Sequence, residues 1–281
     1  MVIKNILITG DMGYIGTTLK IKLKELKYNI IGYDIKRNEK EDIRIFKFNK
    51  KVDLVIHLAG IVGDVACDEN IMNTYKTNIN GTLNIIKYCK KNNIPLLLAS
   101  SCSVYGKQDG IVTETSKLNP VSLYALTKML NENDCIEKLS NYIIMRFGTV
   151  FGLSRTYGYR KDLVVNGMTR NSILNNELIV FGGNQHRPFV SVEELTNTII
   201  YLIQNYNKHS MQIFNLNAFN LKIIDLGKKI QNIINCKLKI EKRITDNRDY
   251  KVSNSKLKKY HKIKNDLNKE IKKIKKYTEN E

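Results

Sequence analysis

Between Asn5 and Phe147, short uninterrupted apolar runs alternate with longer stretches of helical periodicity: NILITG, TTLKIKLKEL, NIIGYD, VDLVIHLAG, TNINGTLNIIKYCKK, IPLLLASS, LYALTKMLNENDCIEKL and YIIMRF. A strand needs such a run, with no polar residue at alternate positions, only when both faces of its sheet are covered. The βαβα order therefore predicts an α/β protein built on a doubly wound parallel sheet, which excludes all-helical, all-β and fibrous alternatives. After Gly152 the alternation weakens into GLSRTYGYRKD, a helical stretch, the strand-like ELIVFG and RPFVSVEELTNTIIYLI. Residues 1–152 are thus expected to form the sheet domain and 153–281 a smaller C-terminal substrate-binding lobe, with 187–206 returning to the sheet.

The chain can fill such a core, since 42% of its 281 residues are hydrophobic. No apolar run approaches the length that crosses a bilayer, and no membrane partner is expected. The opening IKNILITG reads as a strand rather than an export leader, and Cys67, Cys89, Cys102, Cys135 and Cys236 are too scattered for a disulfide framework, so reduced thiols in a cytoplasmic protein are expected. The histidines are equally dispersed, and no metal site is expected. The net charge of +19 owes much to the segment from Lys237 onward, read as a solvated basic helix and tail in preference to a nucleic-acid contact.

ILITGDMGYIG sets Gly10, Gly13 and Gly16 directly after the first apolar run and at the head of the first helix, in the spacing G-x-x-G-x-x-G. Glycine is needed there because the turn is tight, the backbone must approach a pyrophosphate, and the helix must lie close on the sheet with its N-terminus facing the anion. In that context the pattern reads as the dinucleotide fingerprint of a Rossmann sheet. Asp34 closes the second run, where a carboxylate accepts ribose hydroxyls and repels a 2′-phosphate. NAD is expected over NADP, although Lys36 and Arg37 carry charge that a 2′-phosphate would seek.

Tyr124 and Lys128 in SLYALTK are four apart and share one helix face. An ammonium beside a phenol favours the phenolate, drawing a reference pKa of about 10 toward neutrality and making the tyrosine a general base. LLLASSCSVYG places Ser100, Ser101 and Ser103 at the carboxyl end of another strand, the edge at which open α/β sheets bind ligands.

TGDMGYIG, DLVIHLAG, TNINGT, SSCSVYG, YALTK, RFGTVFG and RPFVSV stand in an order that resembles the extended short-chain dehydrogenase/reductase family, particularly its UDP-glucose 4-epimerase-like nucleotide-sugar epimerases and dehydratases. The resemblance implies Ser101 as the catalytic hydroxyl, Tyr124 as base and acid, and Lys128 as the residue that tunes Tyr124 and holds the nicotinamide ribose. It implies NAD contacts at Gly10, Gly13, Tyr14, Ile15, Gly16 and Asp34, at Asp42 and Ile43 beside the adenine, and at Leu58, Ala59, Gly60 and Thr77. RIFKF, which follows Ile43 from Arg44, is open to a second reading as a third strand. For a nucleotide-diphosphate sugar the resemblance points to Arg187 on the diphosphate, Arg243 with Asp246 on the nucleotide, Ser103 on the sugar, and Thr149 and Asn166 along the site. It also implies a homodimer through the helices carrying TLNIIKYCKK and LYALTKMLNENDCI.

The implied first step is oxidation of the sugar at C4. Dehydratases of the group then use an adjacent Asp-Glu pair where this chain has Cys102 and Ser103. Neither is a carboxylic acid, so the expected outcome is 4-epimerisation with NAD recycled. A net 4-dehydrogenase or 4-ketosugar reductase would use the same triad, and a non-enzymatic dinucleotide-sensing or polyanion-binding protein is the distant alternative.

Overall fold

A computed structural model describes residues 2–242 and 248–281. Its first half runs β1 (Asn5–Thr9), α1 (Tyr14–Glu25), β2 (Asn29–Tyr33), β3 (Leu54–His57), α2 (Asp64–Glu69), α3 (Ile71–Thr74), α4 (Thr82–Asn92), β4 (Leu96–Ser101), β5 (Ile111–Val112), α5 (Leu123–Lys138), β6 (Tyr142–Phe147) and β7 (Thr149–Phe151). Its second half runs α6 (Val164–Asn175), β8 (Glu177–Phe181), β9 (His186–Ser191), α7 (Val192–Gln204), α8 (Tyr206–His209), β10 (Gln212–Leu216), β11 (Phe219–Lys222), α9 (Ile223–Ile234), β12 (Lys237–Glu241), β13 (Lys251–Val252), α10 (Ser255–Lys258) and α11 (Leu267–Thr278). Six strands form one sheet in the order β10-β6-β4-β3-β1-β2, with every neighbouring pair parallel.

The apolar runs divide between two cores by strand alternation. Ile6, Ile8, Leu54, Ile56, Leu97, Ile143 and Met145 face one side with α1 and α7, whereas Leu7, Val55, Leu96, Leu98, Tyr142 and Ile144 face the other with α4 and α5. Both faces being covered, the sheet is the doubly wound Rossmann type that the rhythm predicts.

The sheet ends at β2. RIFKF adds no strand: Asp42 caps a short 3-10 turn, Ile43–Ile45, and Phe46 then packs edge-on to Tyr33 and Tyr88 at ring separations of 4.8 and 5.4 Å. Nine residues between Asp42 and Val52 are too few for another parallel strand with its crossover, and the aromatic cluster closes this end of the sheet instead.

In the second lobe β9 lies between β7 and β11 in a small separate sheet, and β8 pairs with β12. The segment 187–206 returns only in part: α7 packs against α1, while the strand that rejoins the main sheet is β10, beside β6. Phe151, Val165, Leu178, Phe189, Leu226, Ile271 and neighbours make the lobe's own core. The segment expected to be a basic tail is structured there as α11. Leu267, Ile271 and Ile274 recur every three or four residues and are buried, the first two in that core, so only the opposite face is solvated. Among the described residues no helix is long and apolar enough to cross a membrane, and all five cysteines are buried free thiols.

Candidate active site

Parallel strands point their carboxyl ends to one edge, and there the turn from β1 to α1 forms a backbone cradle. Gly10 has φ +76°, and a Cβ on it would lie 2.7 Å from the Ala59 nitrogen; a Cβ on Gly16 would lie 2.1 Å from the Gly10 oxygen. Helix α1 starts after Gly13 with no side-chain cap and no acidic residue in its first turn, so its N-terminal N–H groups and positive dipole end stay available to an anion. Asp34 is buried at the end of β2, its carboxylate oriented by N–H groups of Met12 and Lys36 at 2.9 Å. Cradle, uncapped helix and carboxylate together fit the pyrophosphate and ribose of a dinucleotide.

The cradle opens into a cavity of about 1180 Å³. Gly10, Gly13, Tyr14, Ile15, Gly16, Asp34, Asp42, Ile43, Leu58, Ala59, Gly60 and Thr77 line it, as do Ser101, Ser103, Tyr124, Lys128, Thr149 and Arg187. Asn166 stands apart: its fully buried amide accepts from the Gly152 N–H and donates to the Arg160 carbonyl, bracing the loop between β7 and α6. Arg243 and Asp246 lie outside the described residues. Thr77 belongs to a π-helical segment, Tyr75–Gly81, joining α3 to α4. Asn78 in the same segment holds both the N–H and the carbonyl of Ile61, so this widened turn positions the 60–63 loop that forms one cavity wall.

Ser101, Tyr124 and Lys128 converge because the last residue of β4 meets the first turns of α5, whose N-cap is Ser122. Ser101 Oγ accepts from the Ser103 N–H at 3.1 Å and from the Ser103 hydroxyl at 2.9 Å, which leaves its own proton for Tyr124, to which it is hydrogen-bonded. Lys128 Nζ donates to the Ala99 carbonyl at 3.0 Å and lies 5.8 Å from the centre of the Tyr124 ring. The expected drift of the phenol toward neutrality is absent. Burial pushes Tyr124 up to about 12, outweighing the lowering by the Ser101 hydrogen bond and by the charge of Arg160. Burial also draws the Lys128 ammonium down to about 8. Cys102 is a packed residue, its thiol donating to the Arg146 carbonyl at 3.3 Å and its pKa raised by burial.

At the other end Arg187 is buried, its guanidinium held by the carbonyls of His186 and Arg248 at 2.6 and 2.5 Å and lying over the Tyr250 ring. Arg248 also pairs with Asp64 at 2.8 Å, tying the second lobe to the head of α2 across the cavity.

Arg160 and the Arg248–Asp64 bridge were not singled out from sequence. Arg160 sits in the GLSRTYGYRKD connection, where a cation directly beyond a carboxyl-edge strand was the available signal. Glu132 was also missed, although it lies four residues beyond Lys128. It is buried with Arg146 in a salt bridge of 2.7 Å and accepts the Ser100 hydroxyl proton.

The family model described as NAD dependent epimerase/dehydratase matches residues 6–216. An uncharacterized UDP-glucose epimerase of Bacillus subtilis is 29% identical over 227 residues, covering 69% of this chain and 71% of that protein. Among solved structures, a UDP-glucuronic acid 4-epimerase from Bacillus cereus in complex with UDP-glucuronic acid and NAD superposes with a TM-score of 0.82 at 22% identity, covering 98% of this chain and 99% of that one. An NAD-dependent NDP-hexosamine 5,6-dehydratase of tunicamycin biosynthesis superposes with a TM-score of 0.85 at 20% identity, covering 99% and 98%.

Proposed function

Since the chain belongs to the NAD dependent epimerase/dehydratase family, we propose that it is an NAD-dependent nucleotide-sugar 4-epimerase. The observation that carries this reading is one cavity holding the glycine cradle and Asp34 at one end, Ser101, Tyr124 and Lys128 at its centre and Arg187 at the other, with Cys102 and Ser103 where an elimination would need carboxylic acids.

NAD, when bound, supplies the hydride acceptor. The protein's residues bind, orient and move the proton. Ser101 donates a hydrogen bond to the reacting oxygen and Tyr124 takes its proton, giving it back to that same oxygen once the sugar has turned and the hydride has returned to the opposite face of the carbon. Lys128 holds the ribose hydroxyls and adds positive charge beside the phenol. Asp34 holds the adenosine ribose, and Asp42 and Ile43 flank the base. Arg187 takes the diphosphate as a fork of fixed donors, while Ser103 and Thr149 line the sugar's place. Asn166 acts through the loop it braces. Support for a homodimer comes from α5, where Leu126, Leu130 and Ile136 expose apolar surface beside α4; a monomeric mass by light scattering would contradict it.

Denaturing the purified protein and identifying the released nucleotide by mass, followed by NMR of UDP-glucose and UDP-glucuronic acid incubated with native protein, tests the reading. Stoichiometric NAD and a 4-epimer growing without net cofactor reduction support it. An oxidised or reduced sugar accumulating with stoichiometric change of added NAD(H) would replace epimerisation with net dehydrogenation or reduction.

A further inference from the structure

Two cations, Lys36 and Arg37, follow Asp34 in the loop where a 2′-phosphate would sit. The geometry withdraws Arg37 and leaves Lys36 on the cavity wall. Lys36 Nζ lies over the Tyr157 ring at 5.2 Å. Arg37 turns beneath β2, where one amino group meets Asp11 Oδ2 at 2.5 Å and the other meets Glu41 Oε2 at 2.9 Å. The carboxylates of Asp34, Glu41 and Asp42 line this end of the cavity beside Lys36 and Arg44, the latter paired with Asp42 at 2.6 Å, whereas Arg37 does not reach it.

Asp11 is an odd residue for its place. It directly follows the first glycine of the cradle, is fully buried, and shares the same oxygen between Arg37 and Lys20, the latter at 2.7 Å. Gly32 gives independent sign of the same arrangement. Glycine weakens a strand interior, yet one stands within β2, and a Cβ there would fall 2.3 Å from Asp11 Oδ2 and 2.5 Å from the Arg37 amino group. The strand leaves out a side chain at the point where the ion pair passes.

We propose that Asp11, helped by Glu41, is a positioning residue that holds Arg37 away from the adenosine ribose and thereby sets the discrimination against a 2′-phosphate. Asp34 repels the phosphate directly; Asp11 removes a cation that would offset the repulsion, while Lys36 lies over Tyr157 and Arg44 is paired with Asp42. The inference rests on the dinucleotide reading of the cavity but not on the sugar chemistry.

Calorimetric titration of the purified protein with NAD and with NADP tests it. Wild type should prefer NAD. Asp11→Asn, which keeps the shape and removes the charge, should narrow the ratio of dissociation constants by about tenfold or more, the scale of one charge-assisted hydrogen bond from the released guanidinium to the phosphate. Adding Arg37→Gln to Asp11→Asn should restore the discrimination, which a merely structural role or a simple loss of negative charge would not do. A folded Asp11→Asn protein with unchanged preference overturns the proposal, and so does narrowing that persists in the double variant. Should Asp11→Asn fail to fold, Glu41→Gln loosens the same clamp from the partly exposed side, and an unchanged ratio there overturns it equally. Binding of neither dinucleotide by wild type would sink the cofactor reading and the inference with it, whereas NAD binding with unshifted discrimination would sink the inference alone.

Discussion

Ser100 and Ser101 are adjacent on β4 and both border the cavity, yet they join different kinds of polar site, Ser100 through its bond to Glu132 and Ser101 through its bond to Tyr124. On the Ser100 side the polar groups are closed on one another. Glu132 and Arg146 form a buried salt bridge, Arg146 also donates to the Tyr105 hydroxyl at 2.8 Å and the Glu114 carbonyl at 3.1 Å, and Tyr105 donates to Asn215 at 2.7 Å. On the Ser101 side Tyr124 and Lys128 border a cavity, and burial displaces both from their ordinary protonation ranges. Helix α5 serves both, with Lys128 and Glu132 one turn apart. A buried charge fully paired adds rigidity; the same charge left facing a cavity is held ready for a ligand.

The largest break in this comparison should come from Tyr124→Phe. Loss of the proton carrier should lower turnover by about 10²–10⁴-fold with dinucleotide binding by calorimetry unchanged. Retained turnover would mean that the open site is not the reactive one. Next is Glu132→Gln, which leaves the Arg146 guanidinium buried without its counter-charge. About 3–5 kcal/mol of stability should be lost, read as a shifted denaturant midpoint, while turnover per folded molecule falls far less than in Tyr124→Phe. A midpoint near wild type would show that the closed network is not what steadies β4.

These two sites were unequally legible in the sequence. The open one announced itself because its chemistry uses short local spacings: Gly10, Gly13 and Gly16 around one turn, Tyr124 and Lys128 around another, and serines at a strand end. The parallel sheet was legible for the same reason, since each strand's burial is written in its own run. The closed network joins residues 14 to 110 positions apart, and neither Arg146 in YIIMRF nor Asn215 in β10 carries a local sign that its partners lie across the sheet. The return through β10 and the packing of α11 were hidden likewise, because both depend on which surface is left for a late segment to cover. The phenol's displacement was misjudged because spacing shows a neighbouring charge but not the desolvation that competes with it.

The smallest of the three effects, and the one that separates the sites most sharply, is the pH dependence of stability. Lys128 holds its proton up to about 8 in the folded protein, against an ordinary value of 10.5. Below pH 8 both states are protonated and folding bears the cost of a buried ammonium, on the order of 3 kcal/mol at most for such a displacement. Between pH 8 and 10.5 the unfolded chain still binds the proton while the folded one has released it, so this residue's contribution to stability rises with pH. Lys128→Met removes the cost. The variant should therefore unfold at a higher temperature than wild type at pH 7 despite losing turnover, and the gap should narrow as pH climbs from 8 toward 10.5. Melting curves of the two proteins across that range give the answer. A gap that stays constant would mean that Lys128 is as well compensated as Arg146, and the contrast between the open and the closed site would then be one of position only.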